Sequence, residues 1–140
     1  MEINIPSLKD QKMVIYENQL KESYQLLLDN LNAPYYPKVN NFDSSKYGIE
    51  HLKLYKDGWK PPHPDLVNAW FTQFKQTFPE YKTDEKIAIL LGLTGSESNR
   101  RIRAFRHGEQ PIPYGLWRNF LVRTGRVNQE IIPVMGFFED

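Results

Sequence analysis

The chain is 140 residues long and carries a net charge of +1 at neutral pH; 40% of its residues are apolar, 25% are charged and none is cysteine. That length predicts one compact unit with room for a small subdomain, and that balance of residues excludes wholesale disorder. Without cysteine there is no disulfide scaffold, thiol catalysis, iron–sulfur cluster or cysteine-ligated zinc.

The opening stretch, MEINIPSLKDQKMVIYENQ, interleaves acids and bases and has no apolar core of signal-peptide type. No run of about 18 apolar residues occurs anywhere, so a cytoplasmic protein of a bacterial host, with no membrane partner, is expected. Ser7 is a plausible N-cap for a long first helix reaching about Leu31. Its apolar residues, among them Leu8, Ile15, Leu20, Tyr24, Leu27, Leu28 and Leu31, fall mostly at helical spacings. The stripe is not a clean heptad, so packing against other helices is expected rather than a long coiled coil. An irregular stretch with Pro34 and Pro37 follows, then a short helix from Ser44 or Ser45 to Tyr55, interrupted by Gly48. Asp57-Gly58 and Pro61-Pro62 form a connector. The expected organisation is therefore an N-terminal helical arm over 1–60, for dimerisation or effector response, and a helical domain over 61–127.

His63-Pro64-Asp65 opens the next helix, in which Leu66, Trp70, Phe74 and Phe78 repeat at i, i+4 beside Val67 and Phe71. Thr83 is placed to cap a helix running through Leu91, with Asp84 and Glu85 at its positive end. Thr94 and Glu97 have capping-box spacing for a third helix through Arg106, which Gly108 ends. Pro111-Ile112-Pro113 leads into a fourth helix, Tyr114 to about Thr124. Asn128 is read as the cap of a short turn ending at Pro133, within an acidic tail over 128–140. No segment reads as a strand, and the fold class expected is all-α.

Charge is segregated along these elements. All eleven lysines lie at or before Lys86, and all seven arginines lie between Arg100 and Arg126. Residues 1–93 sum to −1, residues 94–127 to +5 and residues 128–140 to −3. A basic block in a neutral protein is the kind of local footprint that anions and nucleic acids seek; a solvated helix face with a few ion pairs is the alternative. At 100° per residue, Ser98, Ile102 and Phe105 share one face of the third helix. Ser96, Arg100, Arg103 and His107 cluster on the opposite side, with Asn99 and Arg106 on one flank and Arg101 on the other. Arginine forks onto guanine O6 and N7, and asparagine pairs with adenine N6 and N7. Arg118, Arg123 and Arg126, on the fourth helix and just beyond it, suit phosphate contacts or simple surface solubility. His107 also suits a helix C-terminus for dipole reasons. Trp70, Phe105, Tyr114 and Trp117 read as core rather than as stacking platforms.

The helix from Thr83, with Ala88, Gly92, Leu93 and Thr94, has the local logic of a helix–turn–helix: a small residue at the crossing, a glycine end, an aliphatic plug and a hydroxyl. The block RIRAFRHGEQPIPYGLWRNFL resembles the R-x-V-R-x-W-x-x-G-x-x-P-I-P-Y-x-x-W pattern of Cro-like and phage-repressor-like helix–turn–helix proteins of phages, plasmids and integrative mobile elements. The matching residues are Ile102, Arg103, Phe105, Gly108, Pro111, Ile112, Pro113, Tyr114 and Trp117. The resemblance lies within residues 61–127, with a longer spacing between Thr94 and Gly108 than in the compact pattern. It implies an all-helical domain whose third helix enters the major groove of double-stranded DNA.

The expected function is sequence-specific transcriptional regulation, by a repressor of a mobile genetic element acting as a homodimer on a palindromic operator. The expected DNA-binding residues are Ser96, Asn99, Arg100, Arg101, Arg103, Arg106, His107, Arg118, Arg123 and Arg126. The alternative is a protein-binding module that offers the same arginines to an acidic partner. No enzyme is expected: His51, His63 and His107 lack metal-ligand spacing, and no phosphate loop or nucleophile elbow occurs. No cofactor or metal is expected either.

Overall fold

A computed structural model describes residues 4–140. They form five α-helices joined by 3₁₀ turns and loops, with no strand among the described residues. The chain divides into two compact units at Pro37/Lys38.

The first unit is dominated by helix α1, Leu8–Asp29, which continues into a 3₁₀ turn, Asn30–Asn32. Ser7 caps it as its sequence suggests, its hydroxyl accepting from the Asp10 amide at 3.1 Å. None of its residues is buried, so the core packing expected of this helix is not observed.

The second unit contains α2 (Pro64–Thr77), α3 (Asp84–Leu90), α4 (Ser98–His107) and α5 (Tyr114–Arg123). Helix α4 packs against both α2 and α3. The i, i+4 ridge of α2 buries Leu66, Val67, Trp70, Phe71 and Phe74 against Ile87, Ile102, Phe105, Trp117, Phe120 and Leu121. Trp70 and Trp117 stack nearly parallel, with centroids 5.7 Å apart, and Phe71 meets Phe120 edge-on at 4.8 Å. Such aromatic pairs add about 0.5–1.5 kcal/mol each beyond area burial.

Two helix ends close in the same way. After α3, Gly92 takes φ +85°, its amide donates to Ile89 O and the Leu93 amide donates to Ala88 O at 2.8 Å. After α5, Gly125 takes φ +69°, its amide donates to Val122 O and the Arg126 amide donates to Leu121 O at 2.9 Å. These are Schellman closures, which need a left-handed residue that glycine supplies without strain. The first drops Leu93 into the core, and the second turns Arg126 back onto the domain.

Several expectations are corrected. The segment from Ser44 is not one helix but three 3₁₀ turns, Ser44–Tyr47, Glu50–Leu52 and Tyr55–Asp57. Gly48, at φ +73°, breaks the helical path between the first two. The unit boundary falls at Pro37/Lys38 rather than at the Pro61-Pro62 connector, because residues 38–60 supply core. His51 is buried against both Trp70 and Trp117, and Trp59 Nε1 donates to the His51 carbonyl at 3.1 Å. The Thr94–Glu97 capping box does not form. Gly95, at φ +102°, takes the chain out of helical conformation directly after Thr94, and α4 starts only at Ser98, whose hydroxyl donates to Gly95 O at 3.0 Å. Residues 128–140 form no regular element, so the turn expected at Asn128 is absent. The Asn128 carbonyl instead accepts from Arg118 at 3.2 Å.

Candidate nucleic-acid interface

Helix α4 is amphipathic because its sequence alternates core and donor residues at helical spacing. Ser98, Ile102, Ala104 and Phe105 are buried, while Asn99, Arg100, Arg101, Arg103 and His107 are exposed. Ser96 lies exposed in the preceding loop. The exposed face carries one acid at its N-terminal end, Glu97, which meets Arg100 at 3.5 Å in a solvated pair. Such a pair contributes little. The Arg101 guanidinium lies 5.8 Å from the Phe105 ring centroid. Arg103 makes no hydrogen bond or ion pair among the described residues. On α5, Arg123 is exposed and its Nε donates to Asn119 at 2.7 Å.

Three of the arginines expected to contact DNA make hydrogen bonds within the fold. Arg106 donates to Asn68 Oδ1 at 3.1 Å and to Asp84 Oδ2 at 2.6 Å, while Lys75 pairs with the other carboxylate oxygen of Asp84. This cluster ties α2, α3 and α4 together. The Lys75, Asp84 and Arg106 side chains are only 11–19% exposed. Burial pushes the Asp84 carboxyl up, but the hydrogen bonds and charges of Lys75 and Arg106 outweigh it and hold the group below the usual carboxylate value. Arg118 donates to the carbonyls of Leu52 at 2.9 Å and Asn128 at 3.2 Å, fastening the 3₁₀ segment to α5. Arg126 lies 3.8 Å over the Trp70 ring and donates to Gln73 Oε1 at 2.8 Å. Burial brings its guanidinium down to about 10, so it stays cationic at neutral pH.

The exposed donors that remain are Ser96, Asn99, Arg100, Arg101, Arg103 and His107 on or beside α4, and Arg123 on α5. A phosphate backbone or the edge of a base could be engaged by such a set. Among the described residues, no three His, Asp or Glu side chains are placed to hold a metal ion. No described helix is long and apolar enough to cross a membrane.

Asp84, Asn68 and His51 were invisible as interacting residues in the sequence. Asp84 reads as an ordinary helix-start acid, and its partners lie 9 and 22 positions away. His51 accepts from Trp117 Nε1 at 3.2 Å through its Nδ1, across 66 positions. The one readable signal was Gly125, whose helix-ending geometry carries Arg126 inward.

Comparison with protein-family models, with curated proteins and with solved structures finds no match for this chain.

Proposed function

We propose that this protein is a sequence-specific DNA-binding regulator, a repressor of a mobile genetic element, which acts as a homodimer by occupying its operator. The observation that carries the reading is the exposed α4 face, where Arg100, Arg103 and His107 stand opposite the packed Ile102 and Phe105 edge, flanked by the exposed Asn99 and Arg101. A helix of this kind presents forked donors to the major groove while its buried edge fixes its orientation. The α3–Gly92–α4 succession and the likeness of 101–121 to repressor-type helix–turn–helix proteins support the same reading. Arg123 would flank the groove on phosphate. A repressor needs no catalytic group, and blocking of polymerase by occupancy is sufficient.

The test is unbiased selection of DNA from a random pool, followed by titration of the selected site with wild-type protein and with the double variant Arg100→Ala, Arg103→Ala. Both side chains are exposed, so the variant keeps its fold and loses at least about tenfold in affinity for the selected site. A pool that yields no consensus, or equal binding by both proteins, sinks the reading. Capture of an acidic protein through the same arginines, with no DNA preference, would replace it with the protein-binding module.

A further inference from the structure

A second feature of the 38–140 unit is unrelated to the α4 face. A cleft of about 340 Å³ is lined by Lys38, Val39, Phe42, Asp43, Ser44, Trp70, Gln73 and Arg126. Its volume falls within the range of small-molecule sites. In its lining the guanidinium of Arg126 lies over one indole, its central carbon 3.8 Å from the Trp70 ring centroid. Unlike Arg106, which meets the Asp84 carboxylate, Arg126 makes no ion pair among the described residues. The one hydrogen bond of its guanidinium among the described residues is to the neutral amide of Gln73, so two of the three guanidinium nitrogens have no acceptor there. A half-sequestered cation without a counter-ion is costly unless an anion is available to it.

The rest of the lining agrees. Lys38 adds a second positive charge that forms no ion pair among the described residues, and Ser44 adds a hydroxyl. Asp43, the one acid present, already accepts from the amide and the hydroxyl of Ser45. Those bonds hold it ionised, and the cleft keeps a net charge of +1. Val39 and Phe42 supply apolar wall, both half-buried against the core.

We propose that this cleft binds a small organic anion, a carboxylate or phosphate monoester whose oxygens fork onto Arg126 and pair with Lys38 while an apolar body lies on Val39 and Phe42. Planar oxyanions match the guanidinium fork in two parallel hydrogen bonds. The site owes nothing to the DNA-binding reading, because none of its residues is exposed on α4.

Trp70 lies in the cleft, so intrinsic fluorescence of the full chain reports occupancy. Benzoate and phenyl phosphate are titrated against neutral benzamide, with acetate and inorganic phosphate as headgroup-only probes. Saturable change is expected with benzoate or phenyl phosphate, with benzamide at least about tenfold weaker; which aromatic anion binds tighter identifies the headgroup. Acetate and inorganic phosphate bind more weakly than their aromatic counterparts because the apolar wall is left uncovered. Arg126→Gln loses about tenfold or more. Lys38→Gln, at an exposed position that cannot threaten the fold, loses several-fold. The Arg100→Ala, Arg103→Ala protein binds the anion as wild type does, which separates failure of this site from failure of the DNA reading. No saturable response to any anion, an equal response to benzamide, or unchanged binding by Lys38→Gln and Arg126→Gln overturns the proposal.

Discussion

The seven arginines divide by what surrounds each guanidinium. Arg106, Arg118 and Arg126 are absorbed into the fold, while Arg100, Arg101, Arg103 and Arg123 face water. Asp84 is the pivot of the first group. Asp84→Asn removes the carboxylate that, among the described residues, pairs with both Lys75 and Arg106, and is expected to destabilise the fold by about 2–4 kcal/mol, measured by urea unfolding. Loss below about 1 kcal/mol would mean that the cluster is solvated rather than structural. His51 gives a pH signature. It is 4% exposed and accepts from Trp117 at Nδ1, so its proton sits on Nε2. Burial pushes its pKa below the usual value, more than the backbone hydrogen bond at Gly48 and the Glu50 charge raise it. With the folded-state value depressed, the unfolded chain takes up the proton first as pH falls. Stability is full above about pH 7 and declines below about 6.5, at no more than about 1.4 kcal/mol per pH unit. Asp43, Glu50 and Asp84 are also depressed and act at lower pH, as carboxylates. His51→Asn, which keeps an acceptor for Trp117, should flatten the decline between about pH 7 and pH 5. An unchanged pH profile in that variant would assign the decline to other groups.

At the scale of elements, reading was easiest where local chemistry and core packing coincide. Helix α2 was legible because His63-Pro64-Asp65 marks its start and an aromatic ridge repeats every four residues. Helices α3 and α5 were legible because Thr83 and Pro113 begin them and a glycine follows each. The capping box failed because Gly95 was free to leave the helical region, and no side-chain pattern outweighs that freedom. The 38–60 segment was illegible for a different reason. Its order comes from single long-range contacts, His51 to Trp117 and Leu52 to Arg118, which leave no periodicity. Helix α1 poses the remaining question at this scale. Met13, Leu20, Tyr24 and Leu27 share one face and are 36–64% exposed. Of the charged residues of α1, Lys12, Lys21, Glu22 and Asp29 lie outside this stripe. Pairing of α1 with α1 of a second copy of the chain would bury the stripe, and self-association is the outcome to test. Leu20→Glu with Leu27→Glu should weaken self-association about tenfold or more by sedimentation, with the second unit's thermal midpoint unchanged. Monomeric wild type at micromolar concentration would exclude this pairing.

Across the whole molecule, the near-neutral total of +1 acquires a meaning. Little diffuse positive charge is available for non-specific attraction, so DNA affinity should rest on few phosphates. The salt dependence is expected to have a log–log slope of about −0.9 for each contact, with about four arginines per chain exposed to contribute. A much steeper slope would mean that the lysines of 1–93 contribute as well. A selected consensus should be palindromic, with half-sites about one helical turn apart. Inside the fold the planar fork of arginine meets a carboxylate at Arg106 and an indole at Arg126, and the proposed base contacts would use the same fork outside it. The Trp70–Trp117 pair, inclined by 6° at 5.7 Å and closed by His51, also makes the protein its own optical gauge. Two indoles held so close and so nearly parallel couple excitonically, and the resulting near-ultraviolet dichroism is a chiral signature of the core. DNA bound at α4 would leave that signature intact, whereas an anion drawing Arg126 off Trp70 would rewrite it.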